Sequence, residues 1–255
     1  MRNSKRVVVA GLALILVAGL LAVRASYGQS DRTDATTKKI RIVTVVKRTG
    51  IGWFERMEEG IKQFAAENGV DATMTGAADA DPQKQADIIR KLIAEKPNAI
   101  TVVPNSPEAL EEVLKQARAA GIKVVTHEAG NQVNTDVDIE AFDNLAFGSH
   151  LMDELALCMG ESGKYVAFVG HTTARSHMRW ATAAYERATQ KYPKIVRISA
   201  PVEAAERIDT AYQKAKELLA HHPDLKDFEG SSVGDVAGIM QTVWRAGVQG
   251  GSGVM

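Results

Sequence analysis

Two rhythms of apolar positions alternate along residues 40–246. Short runs of β-branched and aromatic residues read as buried strands, and longer stretches with apolar residues three and four apart read as helices with one inward face. Residues 40–46 form the first run. Phe54, Met57, Ile61, Phe64 and Ala65 then share a helical face, which Asn68-Gly69 ends. A strand over 70–75 follows, then a helix opened by Pro82 with Ala86, Ile89 and Ile93 inward, broken by Pro97-Asn98. After a strand over 99–103, Ser106-Pro107 reads as a cap and first helical residue, with Leu110, Val113, Leu114 and Ala117 inward. Strands over 122–126 and 137–142 come next. The rhythm then resumes with helices over 145–159, 173–192, 206–221 and 235–246, and strands over 165–169, 195–200 and 228–232.

Strand-then-helix alternation implies parallel sheets covered by helices on both faces. One sheet of nine strands is an option, but two units of about 110 residues fit ordinary domain sizes better. The expected division is an N-terminal α/β domain over 39–142 and a C-terminal α/β domain over 143–255, with a hinge near 141–144. The final VQGGSGVM stands where another strand is due, so the second domain is expected to be incomplete, the chain being truncated at its C-terminus.

Composition changes the picture only at the N-terminus. Hydrophobic residues make up 45% and charged residues 24% of the 255, as in ordinary globular proteins. Residues 1–28 carry Arg2, Lys5, Arg6 and Arg24 and no acid, so the formal neutrality of the whole hides an acidic body. That body gives no support to nucleic-acid binding. The basic start, the apolar run 7–23 and Ser26-Tyr27-Gly28 before Gln29 read as a signal peptide over 1–28 that exports the chain. An uncleaved membrane anchor is the alternative, the run being at the short limit for a bilayer span. Residues 29–38 are a polar linker. The lone Cys158 has no internal disulfide partner and, beside Leu155, Ala156 and Met159, is expected to pack inertly.

In open α/β sheets ligands sit beyond the carboxyl ends of the strands. The first strand ends at Lys47, followed by a turn with Gly50 and Gly52 and by Trp53 and Phe54. Glu55 occupies the place of a third dinucleotide-binding glycine, and no Gly-Lys-Ser/Thr phosphate loop is present. The other strand-end groups are Asn105, Glu128, Ser176 and His177, and Ser231 and Asp235. Polar groups of both hydrogen-bonding senses beside flat apolar rings (Trp53, Phe54, Trp180) suit a sugar-like polyol. Each residue has a plainer reading: Lys47 and Glu128 as solvated charges, Trp53 and Phe54 as helix-start packing, Asn105 and Asp235 as helix caps. His171, His177 and His221-His222 have no carboxylate or cysteine at ligand spacing, so neither metal nor cofactor is expected. A hydrolase would need a nucleophile with a base or two placed carboxylates, and neither Ser176-His177 nor Glu128 lies in a nucleophile-elbow sequence.

The segments VVKRTGIGWFERMEEGIKQFAAENGV, AITVVPNSPEALEEVLKQARAAGIKVVTHEA and FEGSSVGDVAGIMQTVWRAGVQG resemble the periplasmic sugar-binding proteins of ABC importers, of the ribose-binding type. The lysine and the Gly-x-Gly-aromatic-Phe turn resemble the rhamnose and autoinducer-2 binding branch. The resemblance covers nearly all of residues 40–250. It implies a periplasmic binding protein type I fold: two doubly wound parallel-sheet domains joined by three crossings and closing by hinge motion, the second domain incomplete here. It further implies a small sugar or polyol ligand in the interdomain cleft, an ABC transporter permease as partner, a periplasmic location and no catalysis. Lys47 and Phe54 match ligand-contact positions of the branch. Glu128 stands where an aspartate is usual, Ser176 and His177 replace an Asp-Gln pair of the autoinducer-2 binders, and Ser231 and Val233 lie in the last ligand loop. A sensory ligand-binding domain of a membrane receptor is the alternative function.

Overall fold

The computed structural model describes residues 39–246; the expected signal peptide over 1–28, the expected linker over 29–38 and the tail after residue 246 lie outside the described residues. The first sheet consists of β1 (Arg41–Val46), β2 (Asp71–Gly76), β3 (Ala99–Val102), β4 (Lys123–His127) and β5 (Val137–Ile139). Its order is β2-β1-β3-β4-β5 and all pairs are parallel. The connecting helices are α1 (Gly52–Asn68), α2 (Pro82–Glu95) and α3 (Pro107–Ala119). Their starts follow from local chemistry. The Asp81 carboxylate accepts from the N–H groups of Gln83 and Lys84, and the Ser106 hydroxyl from that of Ala109, each just before a proline at the first helical position.

One face of this sheet presents Val43, Val45, Ile100, Val102 and Val124 to Ala86, Ile89 and Leu92 of α2 and Leu110, Val113, Leu114 and Ala117 of α3. On the other face Ile42, Thr44, Thr101, Val125 and Ile139 line an apolar trough with Met57, Ile61 and Phe64 of α1. The inward stripe expected for α1 is therefore only partly realised: Phe54 is buried, while Phe64 is 47% exposed.

The second sheet is built around β6 (Gly163–Val169), preceded by α4 (Asn144–Met159) and followed by α5 (Arg175–Lys191). β9 (Leu225–Gly230) pairs along one edge of β6. The other edge is shared by β7 (Ile195–Arg197) at the start of β6 and β8 (Val202–Glu203) at its end. The strand expected over 195–200 thus ends at Arg197, and the short β8 begins separately after Pro201, which has no N–H to offer the ladder. β6 is buried on both sides. Tyr165, Ala167 and Val169 face α4 and α5, whereas Val166 and Phe168 join Phe228 beneath α6 (Ile208–His221) and α7 (Val233–Ala246).

Two expectations are corrected here. Cys158 is exposed, because the buried stripe of α4 runs through Met152, Leu155, Ala156 and Met159 and leaves residues 157 and 158 outside it. The helix expected from residue 206 starts at Ile208, because Ala205 and Glu206 have φ of 54° and 55°, left-handed values that no right-handed helix accommodates. α7 seats directly on that turn. A Cβ on Gly234 would lie 2.2 Å from the Glu206 carbonyl oxygen, so only glycine permits the approach. Within the described residues the chain passes from the first sheet to the second once, between β5 and α4, and from Ile40 onward it forms one compact unit.

Candidate functional site

The carboxyl ends of β1, β4 and β9 and the N-termini of α1, α5 and α7 converge on a cavity of about 280 Å³. This is near the lower end of the ~300–1,000 Å³ typical of small-ligand clefts. Its polar lining is Lys47, Glu128, His177, Glu206, Ser231 and Ser232, and its aromatic walls are Trp53, Phe54, Phe142, Phe147 and Trp180. The rings of Phe142, Phe147 and Trp180 form one cluster, with centroids 4.8 Å apart for Phe142–Phe147 and 5.1 Å for Phe147–Trp180. Trp180 is held by its Nε1–H, which donates to Asn144 Oδ1 at 2.6 Å.

The charged centre joins the two sheets. Lys47 Nζ donates to Glu128 Oε2 at 2.9 Å and lies 3.8 Å from Glu206 Oε1. All three side chains are at least nine-tenths buried. Burial acts to raise the Glu128 pKa, but the Lys47 ammonium overrides it and holds the carboxyl near 2. Burial likewise acts to lower the Lys47 pKa, and the charges of Glu128 and Glu206 leave it raised. The backbone φ of Glu128 is 57° and that of Glu206 is 55°. Non-glycine residues in the left-handed region concentrate at binding sites, where surrounding contacts offset a strain of ~1–3 kcal/mol. At Gly170 a Cβ would lie 2.7 Å from Glu206 Cγ and 3.2 Å from His177 Cε1, so the missing side chain makes room for both.

Of the residues singled out in the sequence, Lys47, Trp53, Phe54, Glu128, His177, Trp180, Ser231 and Val233 line the cavity. The other three are close to it without forming its wall. Ser176 is buried behind Glu128, and its hydroxyl lies 3.4 Å from Oε2. Asn105 braces Lys47 from below: its Nδ2 donates to the Lys47 carbonyl at 3.1 Å and its N–H to Gln85 Oε1 at 2.9 Å. It does not cap α3, because Ser106 does. Asp235 is not a cap either. α7 begins at Val233, and the Asp235 N–H donates to the Ser232 hydroxyl at 3.0 Å. The Asp235 carboxylate is fully buried, and its oxygens form no hydrogen bond with any described residue. Burial raises its pKa to about 7; the nearby Ser232 hydroxyl eases the shift and the Glu206 charge adds to it.

Glu206, Phe142 and Phe147 escaped sequence reasoning. Glu206 lies inside a stretch with helical spacing, and a left-handed φ at a glutamate has no sequence signature. The two phenylalanines flank the chain crossing, where no periodicity applies. Further bonds clasp the halves together: Thr173 Oγ1 donates to the Asn105 carbonyl at 3.2 Å, Arg48 Nη1 to the Glu206 carbonyl at 3.2 Å, and Arg175 pairs with Glu108. Among the described residues no group of three or more His, Cys, Asp or Glu side chains is arranged to hold a metal ion. No described helix is long and apolar enough to cross a membrane.

Two parallel α/β sheets with an aromatic-walled cavity holding a buried charged cluster at their facing carboxyl ends define a ligand-binding class of protein. The periplasmic binding protein domain family matches residues 42–255, and the chain belongs to that family. It is 26% identical over 244 residues to the D-ribose/D-allose-binding protein of Pseudomonas aeruginosa, covering 91% of this chain and 75% of that one. It is 22% identical over 174 residues to the ribose import binding protein of Bacillus subtilis, covering 68% of this chain and 55% of that one. The chain therefore spans little more than half the length of the Bacillus protein. Among solved structures it resembles an ABC transporter solute-binding protein from Clostridium phytofermentas with bound L-rhamnose: TM-score 0.78, 21% identity, 82% of this chain and 66% of that one. It is also similar to a solute-binding protein from Agrobacterium vitis bound with α-D-tagatopyranose: TM-score 0.75, 25% identity, 83% of this chain and 74% of that one.

Proposed function

We propose that the chain is the solute-binding component of an ABC transporter, holding a small sugar or sugar-like ligand in the cavity between the two sheets and presenting it to a membrane permease. The observation that carries this is the Lys47–Glu128–Glu206 cluster, assembled from both halves inside an aromatic-walled cavity. Sugar hydroxyls need donors and acceptors together, and sugar C–H faces pack on rings. The names of the relatives, which refer to ribose, allose, rhamnose and tagatose, support the same ligand class. On this reading the halves 39–142 and 143–255 are two domains that close on the ligand about the crossing near 141–144, and the protein works in the periplasm after export by residues 1–28.

Binding without turnover fits the side-chain chemistry. Glu128 is held ionised by Lys47 and is no general acid, and Ser176 lies against that carboxylate, not against a free base. Isothermal calorimetry with L-rhamnose, D-ribose, D-allose and D-tagatose tests the proposal. One or more should bind saturably at one site and release heat that Glu128→Ala abolishes. Absence of binding by every sugar would contradict it.

A further inference from the structure

His177 lies in the first turn of α5, its ring beside Trp180 at a centroid distance of 5.3 Å, on the wall of the cavity. Its Nδ1 is 3.1 Å from the backbone nitrogen of Gly170. A peptide N–H can only donate, so Nδ1 carries the lone pair and, in a neutral ring, the proton sits on Nε2. The charged groups around the ring are Lys47, Glu128 and Glu206, with His171 nearby. Burial first, then Lys47 and His171, push its pKa down to about 3 against the pull of Glu128, so the ring is neutral at ordinary pH. The Gly170 N–H is the hydrogen-bond partner of this ring, and no described residue accepts from Nε2.

The two carboxylates of the lining have the opposite sense. Glu128 and Glu206 accept only, Lys47 is already engaged by Glu128, and the Ser231 hydroxyl has no partner among the described residues. A locked donor thus faces an acceptor-rich side across one small space.

We propose, resting on the reading of this cavity as the solute site, that His177 is a specificity-determining donor. Its Nε2–H hydrogen-bonds an uncharged oxygen of the ligand, a hydroxyl, ring oxygen or carbonyl, and so fixes which way round the ligand lies. Hydroxyl protons then point toward Glu128 and Glu206, and a lone pair points toward His177. A ligand placing an ammonium group at that position is rejected, because a locked donor offers it no acceptor.

Two measurements on the full chain test this. Long-range ¹H–¹⁵N correlation spectra of the histidine side chains, assigned by loss of the His177 signals in H177Q, report the tautomer directly. The Nε2–H pattern is expected, unchanged from about pH 5 to about pH 8, and an Nδ1–H pattern overturns the proposal. Calorimetry with the four sugars above then compares His177→Gln and His177→Phe. Both remove the Nδ1 acceptor of the Gly170 N–H, but only glutamine places an amide N–H where Nε2–H was. Glutamine is expected to keep affinity within about threefold, and phenylalanine to lose at least roughly tenfold by leaving a buried ligand oxygen unpaired. Equal affinity of the phenylalanine variant and the wild type overturns the donor role while leaving the solute-binding reading intact. If the wild type binds none of the sugars, both fall.

Discussion

Replacing Lys47 by methionine isolates what the buried ammonium does for the fold. Methionine keeps most of the apolar stem and removes the charge, leaving Glu128 and Glu206 facing each other with the Asp235 carboxylate close by. In the wild type Glu128 is held near 2, against an ordinary value of 4.5. At ~1.4 kcal/mol for each tenfold change in proton affinity, that preference corresponds to about 3 kcal/mol. This agrees with the ~3–5 kcal/mol usual for breaking a buried ion pair from one side. Because folding lowers the proton affinity of Glu128, its contribution is complete above about pH 4.5 and is lost as pH falls toward 2. In the variant burial and the facing Glu206 carboxylate act without the ammonium to oppose them, so Glu128 takes up a proton on folding and the cost is greatest in alkali. Urea denaturation should therefore show Lys47→Met less stable by about 3–5 kcal/mol near pH 8 and by clearly less near pH 5. Adding Glu128→Gln should recover part of the loss. A cost under about 1 kcal/mol near pH 8, or the same cost at both pH values, would refute the reasoning.

Two further outcomes follow from the same structure. Asp235 and Glu229 are buried acids whose pKa values are raised to about 7, chiefly by burial, so the folded chain binds their protons more tightly than the unfolded chain. Their effect is to lower stability as pH rises from about 4 through about 7, and Asp235→Asn with Glu229→Gln should flatten that slope and raise the urea midpoint near pH 8 by the equivalent of a kcal/mol or more; an unchanged slope would exclude these groups. The Cys158 thiol, being exposed, should react with a chromogenic disulfide reagent in the native protein, one thiol per chain, as fast as in urea; protection until unfolding would restore the buried placement that its apolar neighbours implied.

The strands and helices were legible because each carried its own local instructions. β-Branched runs such as residues 42–46, proline at the first position of α2 and α3, and a left-handed glycine at the ends of α1 and α4 all agree with the tertiary structure. The strand-end logic also located most of the cavity, since a parallel sheet delivers Lys47 and Glu128 to the same end whatever the details of packing. What could not be read depends on side-chain direction or on an individual backbone torsion. Asn105 follows β3 as Lys47 follows β1, yet its side chain turns back to hold the Lys47 carbonyl. Cys158 neighbours three buried residues but sits outside the stripe they form, because consecutive residues of a helix point about 100° apart. Glu206 enters the cavity only because residues 205 and 206 leave the helical region, held by packing against Gly234.

The central claim is that a small sugar occupies the cavity between the two sheets, against Lys47, Glu128 and the aromatic walls. Trp53 and Trp180 line that cavity, while Trp244 is 85% exposed and does not. Tryptophan emission of a Trp244→Phe variant, titrated with L-rhamnose, D-ribose, D-allose and D-tagatose, reads the cavity most directly. The account predicts a saturable change with at least one sugar that disappears in Glu128→Ala. Emission unmoved by every sugar, or a change that persists undiminished without Glu128, would contradict it.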